Sequence, residues 1–296
     1  MSLEVEIARQ QAYETWWSQE AHQYLCNLFK DKQYVKKLLI RYLFVKLIDA
    51  KPDEDAVFQP HYSELALKMM EGDISFLHKK GIHANKVVST LDKFLLGAMQ
   101  DVQQFQATNN QSLNVSDPQQ ASWKRYEYLQ LDTMGLAVPF QQLGYKPSDP
   151  VLECFASSYN KYFDKWCSAF PDVDVDSIGN FFQLLPSYIL KINVQVLMVN
   201  PPYDVIFCEQ VFDYCMFLLE HCEQISILMI LPDWPKWPAL EAIQQKCWKT
   251  VAYSKQSSSF IQHQSSNKMT INACKTVWLY LGKERKVTEQ GTIQFD

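Results

Sequence analysis

Glycine is scarce in this chain, with 8 in 296 residues, which excludes collagen-like repeats and glycine-rich linkers. The 8 cysteines include no C-x-x-C pair, which argues against a zinc site, and the six histidines form no local metal pattern. Positive charge is also in deficit. The formal net charge is −5 and the sequence pI is about 5.7. A protein that grips long duplexes by overall charge is normally basic, so any nucleic-acid binding here must use a local patch. No apolar run reaches the length of a membrane span. The N-terminal "MSLEVEIARQQ" is charged and lacks the apolar core of a signal peptide. These absences lead us to expect a soluble, non-membrane protein.

Aromatics, by contrast, are abundant at 14%, and the 47% hydrophobic and 21% charged residues suit a globular chain. Cys208, Cys215 and Cys222 recur every seven residues, which predicts one helix face. Other cysteines sit in apolar runs, as free buried thiols do. The expected compartment is therefore a reducing one, nuclear or cytoplasmic.

Residues 4 to about 108 read as helical. "QYVKKLLIRYLFVKLI" sets Val35, Leu38, Leu39, Tyr42 and Val45 at helical spacing, and "NKVVSTLDKFLLGAM" repeats the pattern. The polar stretch "ATNNQSLNVSDPQQAS" then marks a loop or linker. We expect a helical domain over 1–115 and a second domain over 116–296. In the second, "PVLECFA", "VQVLMV", "QISILMIL", "KTVAYS" and "KTVWLYLG" read as strands. "SYNKYFDKWCSAF", "DVIFCEQVFDYCMFLLEHC" and "PALEAIQQKCW" read as helices. This alternation predicts a parallel sheet flanked by helices. The last two strands have no helix between them, so we expect them to pair antiparallel, as at the end of a methyltransferase-type Rossmann sheet. The predicted fold class is α/β: a Rossmann-like, S-adenosylmethionine-dependent methyltransferase sheet behind an all-helical N-terminal domain.

The most telling segment is "VLMVNPPYDVIF". An apolar strand ends at Asn200-Pro201-Pro202-Tyr203, so the tetrapeptide falls at the carboxyl end of the sheet, where open α/β folds bind ligands. Prolines fix φ and remove backbone donors, so the carbonyls of this turn can be held facing a pocket. The Asn200 carboxamide offers a second acceptor. Two rigid acceptors suit a planar –NH2, and adenine N6 is such a group. Methylating it draws the nitrogen toward sp3, and acceptors on both N–H bonds stabilise the positive charge that develops. Tyr203 offers a ring on which a base can stack. The bland alternative is a Pro-Pro turn at a strand end.

A methyl donor is then expected nearby. "PVLECFASSYN" looks like the first strand and turn of an S-adenosylmethionine fold. Here Glu153 is expected to end the strand, and Phe155, Ala156 and Ser157 to form the turn. Glu153 could instead serve as a helix N-terminal charge. "FPDVDVD" follows, and acidic residues ending a second strand commonly take ribose hydroxyls, which makes Asp172 and Asp174 candidates. A solvated acidic loop is the alternative.

At this point the residues resemble the phosphorylated-CTD-interacting factor family, the cap-specific adenosine N6-methyltransferases. "ECFAS" with Asn160, "CSAFPDVD" (Cys167 to Asp174) and "ISILMILPDW" (Ile225 to Trp234) are similar to its segments in order. So are "KTVWLYL" and "MGLAVPF" (Met134 to Phe140), the latter placing Val138 and Pro139 before the first strand. "NPPY" stands where the family has Asn-Pro-Pro-Phe. The resemblance covers about residues 123–283. It implies S-adenosylmethionine as cofactor, held by Val138, Pro139, Glu153, Phe155, Ala156, Ser157, Asn160, Asp172 and Asp174. It also implies catalysis by Asn200, Pro201, Pro202 and Tyr203, without a metal. Its substrate is the capped 5′ end of mRNA, beginning with 2′-O-methyladenosine. Pro232 and Trp234 would border the adenine pocket and Phe260 would form a second wall. The family's helical domain helps form an RNA groove, which suits residues 4–108. No segment here has WW spacing, so the phosphorylated polymerase tail is not carried over as a partner. The family's Gly-Ser-Arg-Gly stretch is absent, with "SIGNFF" standing near its place.

Basic clusters supply candidates for RNA phosphates: Lys36 and Arg41 on one predicted helix, and Lys124 and Arg125 in "WKRYEY". Each could equally be a solvated helix face. Asn-Pro-Pro-Tyr also occurs in adenine methyltransferases of DNA and in glutamine-amide methyltransferases, which present the same planar nitrogen. A non-enzymatic RNA-binding scaffold is the remaining alternative.

Overall fold

The structure is a computed structural model. It describes residues 3–36, 38–39, 42, 77–79, 81–109, 118–128, 136–169, 175–235, 237–253, 259–263, 269–273, 275–288 and 292–295. The chain divides into two compact units, Met1–Tyr128 and Leu129–Asp296.

The described residues of the first unit are mostly helical, as the periodicity predicts. Helix α1 (Leu3–Tyr13) runs through a π-helical segment, Glu14–Ala21, into α2 (His22–Leu28). Helix α3 (Ala84–Asn109) buries Val87, Val88, Leu91, Leu95, Ala98 and Val102 along one face. Full burial of such an aliphatic side chain contributes roughly 1.5–3 kcal/mol. Gly97 on that helix admits the Trp16 ring, since a Cβ there would lie 2.8 Å from Cδ2. Trp16 Nε1 donates to Asp101 at 2.7 Å. Val35, Leu38, Leu39 and Tyr42 are buried as their spacing requires, while Val45 lies outside the described residues.

Helix α4 (Pro118–Tyr128) belongs to this unit. The cause is electrostatic as well as apolar. Arg125 is buried and donates to Glu6 of α1 at 2.6 Å, and Arg9 approaches the same carboxylate at 3.3 Å. A buried charge demands such a partner.

The second unit is mixed α/β. Its strands are β1 (Leu136–Ala137), β2 (Val151–Ala156), β3 (Lys165–Ser168), β4 (Val196–Val199) and β5 (Ser226–Pro232), followed by β6 (Lys249–Tyr253), β7 (Ser259–His263), β8 (Met269–Ala273) and β9 (Thr276–Gly282). Helices α5 (Pro186–Lys191), α6 (Val205–His221) and α7 (Pro238–Gln244) alternate with them. A six-stranded sheet has the order β3-β2-β4-β5-β9-β6. Strands β3, β2, β4 and β5 pair parallel, and β9 is antiparallel to both β5 and β6. The two late strands therefore pair as expected. Between them lies a hairpin that the sequence pattern does not announce. Strands β7 and β8 pair with each other, and β7 pairs with β1 in a separate three-stranded sheet.

One expected helix is absent. "SYNKYFDKWCSAF" forms a turn over 158–160 and then β3, beside β2. Glu153 is accordingly not the last residue of its strand but the third of six, and Phe155 and Ala156 lie in the strand, not in the turn. Among the described residues, no helix is long and apolar enough to cross a membrane.

Candidate active site

The parallel strands β2, β4 and β5 lie side by side, so their carboxyl ends share one edge of the sheet. Strand β4 is wholly buried and leads directly into Asn200. Pro201 is buried, while Asn200, Pro202 and Tyr203 are half-buried. Asp204 then caps α6, its side chain accepting from the N–H groups of Ile206 and Phe207, both at 3.1 Å. The tetrapeptide is thus clamped between a buried strand and a capped helix.

The two proline carbonyls have different fates. That of Pro202 accepts from Asp204 N–H at 2.9 Å and from the Cys208 thiol at 3.6 Å. That of Pro201 has no hydrogen-bond partner among the described residues. Beside the Pro201 carbonyl the turn carries a second acceptor, the Asn200 carboxamide oxygen. The Tyr203 hydroxyl donates to that same oxygen at 3.0 Å.

At the end of β5, Trp234 N–H donates to the Pro232 carbonyl at 2.9 Å and Asp233 N–H to the Lys275 carbonyl at 3.0 Å. Asp233 also pairs with the Lys275 ammonium. This tight turn sets Trp234 edge-on to Tyr203, with ring centroids 6.3 Å apart at 83°. Behind it stands Trp237, 5.2 Å from Trp234, whose indole N–H reaches Glu209 of α6 at 3.5 Å. Trp237 and Glu209 were not anticipated. The tryptophan spacing in "PDWPKW" was the available signal.

At the end of β2, the Asn160 carboxamide oxygen accepts from Ser157 N–H at 2.7 Å and from the Ser157 hydroxyl at 3.0 Å, closing the turn. Glu153 is buried at 7% exposure and accepts from Tyr162 N–H at 2.8 Å and Phe163 N–H at 3.3 Å, both at Oε2. Burial raises its carboxyl to about 7 in spite of those two bonds, which pull the other way. Buried Cys154, Cys167, Cys208 and Cys215 have thiols pushed well above the ordinary range by desolvation, so none is a ready thiolate.

The structure brings Asn200 to Tyr203 together with Trp234, and sets Ser157 and Asn160 at the end of the adjacent strand. Phe155 faces an aromatic cluster with Phe181 and Phe207, at 5.0 and 5.9 Å. Val138 packs in the core with Phe140 and Tyr145, and the Pro139 carbonyl accepts from Gln142 N–H at 2.9 Å. Phe260 lies on β7 opposite Asn272, and only its backbone is described. Asp172, Asp174 and Arg41 lie outside the described residues. In the helical unit Lys36 is exposed, Lys124 half-buried and Arg125 buried against Glu6. No group of three or more His, Cys, Asp or Glu that could hold a metal occurs among the described residues.

Comparison with known proteins gives two kinds of match. A family model described as "Phosphorylated CTD interacting factor 1 WW domain" matches residues 138–265. Although that description names a WW domain, these residues contain β2 to β7 and α5 to α7. The mouse and human proteins named mRNA (2′-O-methyladenosine-N(6)-)-methyltransferase are each 35% identical over 105 residues, which is 33% of this chain. The match spans 14% of the length of each of these relatives. No solved structure matches the chain.

Proposed function

We propose, for a chain that belongs to the phosphorylated CTD interacting factor family through residues 138–265, an S-adenosylmethionine-dependent methyl transfer to adenine N6 of RNA. The target we favour is the cap-adjacent 2′-O-methyladenosine, which the names of the mouse and human relatives carry. One observation supports this above the others. Two acceptors, Asn200 Oδ1 and the Pro201 carbonyl, sit beside a Tyr203–Trp234 ring pair at the carboxyl edge of the sheet. The antiparallel β9 between β5 and β6 favours the methyltransferase type of Rossmann sheet.

Asn200 and Pro201 accept the two N–H bonds of the amine and stabilise the charge that grows on nitrogen as the methyl arrives. Tyr203 stacks on the base, and Trp234, carried by Pro232, closes one side of its pocket. Phe260 is the candidate for the opposite wall. Bound S-adenosylmethionine supplies an electrophilic methyl group on a sulfonium. Glu153 within β2, with Ser157 and Asn160 in the turn after it, suits that cofactor, and Glu153 Oε1 is the carboxylate oxygen left by the backbone contacts. Ala156 ends β2 as a small buried residue beside that turn. Asp172 and Asp174 are proposed for the ribose, Val138 and Pro139 for the cofactor's other side. Lys36, Arg41 and Lys124 are the candidates for phosphates.

The test is Asn200→Ala. Removing one preorganised polar group from such a site typically lowers turnover by about 100- to 1000-fold. We expect methyl transfer to be lost while calorimetry still shows cofactor binding. Full activity in the variant overturns the assignment. Parallel assays on capped RNA, uncapped RNA, duplex DNA and a glutamine-bearing protein decide which planar nitrogen is used.

A further inference from the structure

We propose that the outer face of α5, with the second half of α6, is a docking surface for a basic segment of a partner protein that carries an aliphatic or aromatic anchor. The inference is independent of the proposed methyl transfer and uses none of the residues assigned to it.

Six large hydrophobic side chains are exposed among the described residues, and four of them belong to this face. Leu185 is 64% exposed, Leu190 48%, Phe217 40% and Tyr188 39%. Single exposed apolar residues are ordinary, but their concentration on adjoining elements marks an interaction site. The two helices are tied together here. The Tyr214 hydroxyl donates to the Leu184 carbonyl at 2.7 Å, and the Cys222 thiol donates to the Pro186 carbonyl at 3.7 Å. Tyr214 stacks on Phe217, with centroids 5.6 Å apart at 30°, and Phe217 meets the His221 ring at 4.5 Å. Phe217 is thus held in a row of rings that leads to the start of α5, which lowers the entropy lost when a partner covers it.

Charge selects the occupant. Asp213 and Glu220 lie four residues before and three after Phe217, so the three share one face of α6. Both carboxylates are exposed, as is that of Glu223 just beyond the helix. Against them α5 and α6 set a single lysine, Lys191, and no arginine. Such an acidic rim repels nucleic acid and anionic membrane surfaces. A second copy of the same face would bring like charges together. A segment with an apolar anchor flanked by lysine or arginine satisfies both the apolar floor and the acidic rim. The surface also leaves the candidate site open. Phe217 lies thirteen residues along α6 from the Asp204 cap, about 20 Å at the helical rise.

The test uses the full chain and two fluorescent synthetic peptides with the same leucine and tryptophan anchors. One is flanked by lysine and arginine, the other by glutamate. In anisotropy titrations we expect the basic peptide to bind about 10-fold more tightly. Its binding should slow hydrogen exchange in α5 and in the second half of α6. Leu185→Ser combined with Phe217→Ser should weaken it by about 10-fold or more. Both positions are exposed, so the urea midpoint should stay in place, which separates a lost contact from a lost fold. Asp213→Lys combined with Glu220→Lys should reverse the preference toward the acidic peptide. No binding of the basic peptide, equal binding of the two, protection elsewhere in the chain, or an unreversed preference overturns the inference. So does a dimer in sedimentation that Phe217→Ser abolishes, since the face would then serve a second copy.

Discussion

A carboxylate that accepts two backbone N–H groups is normally a stronger acid than in water, yet Glu153 goes the other way. Desolvation outweighs the bonds from Tyr162 and Phe163, and the carboxyl rises from 4.5 to about 7. The folded chain therefore holds this proton more tightly than the unfolded chain does. Its contribution to stability is fully present below about pH 4.5 and is lost as pH rises through about 7. Glu153→Gln keeps an oxygen for the two N–H groups and removes the titration. We expect urea unfolding at pH 5 and pH 8 to show the parent losing stability across that interval relative to Glu153→Gln. The difference should be a few kcal/mol at most, since each tenfold change in proton affinity corresponds to about 1.4 kcal/mol. Parallel pH profiles for the two proteins would contradict the reading. An acidic residue at this point of the chain was legible in the sequence. Its setting in mid-strand, tied to the crossover after β2, was not, because the amides it binds lie nine and ten residues ahead.

Among the elements, the segment after β2 departs from its helical pattern for a physical reason. Tyr159, Tyr162, Phe163 and Trp166 recur at i, i+3, i+4 and i+7, the signature of an amphipathic helix. Three tertiary forces override it. Glu153 takes the amides of 162 and 163, Asp164 N–H donates to the Pro147 carbonyl at 2.9 Å, and the backbone of 165–168 joins β2. Helix α6 shows the opposite case, in which local signals agree with the outcome. Asp204 supplies the cap, and Cys208, Cys215 and Cys222 fall on the buried side as their seven-residue spacing predicts. Because that cap adjoins the tetrapeptide, it is also a test of how the site is held. Asp204→Ala should lower stability by about 1 kcal/mol, within the usual range for a lost N-cap. Hydrogen exchange should quicken first at the amides of Ile206 and Phe207. Unaltered protection at those two amides would show that the cap does not hold the helix start.

For the whole molecule, composition and periodicity foretold a helical part followed by an α/β part with a parallel sheet, and the tetrapeptide at a strand's carboxyl end. They did not foretell the hairpin of β7 and β8, whose partner β1 lies more than a hundred residues earlier. Nor did they reveal the ion pair between positions 6 and 125 that ties α4 to α1. That ion pair also separates two roles for Arg125. As a phosphate ligand, its loss would weaken RNA binding, reduce the salt dependence by about 0.7 in log–log slope, and leave stability alone. As the buried partner of Glu6, its loss leaves a carboxylate in the core with Arg9 at 3.3 Å as the contact that remains from this cluster. Breaking a buried pair costs about 3–5 kcal/mol, and the remaining Arg9 contact favours the lower end. For Arg125→Ala we therefore expect faster hydrogen exchange across α1, α3 and α4. Protection in β4 and β5 should be unchanged, as should the affinity for S-adenosylmethionine, whose proposed ligands all lie beyond residue 128. A variant with full protection in α1 and a shallower salt slope for RNA would return Arg125 to the substrate surface.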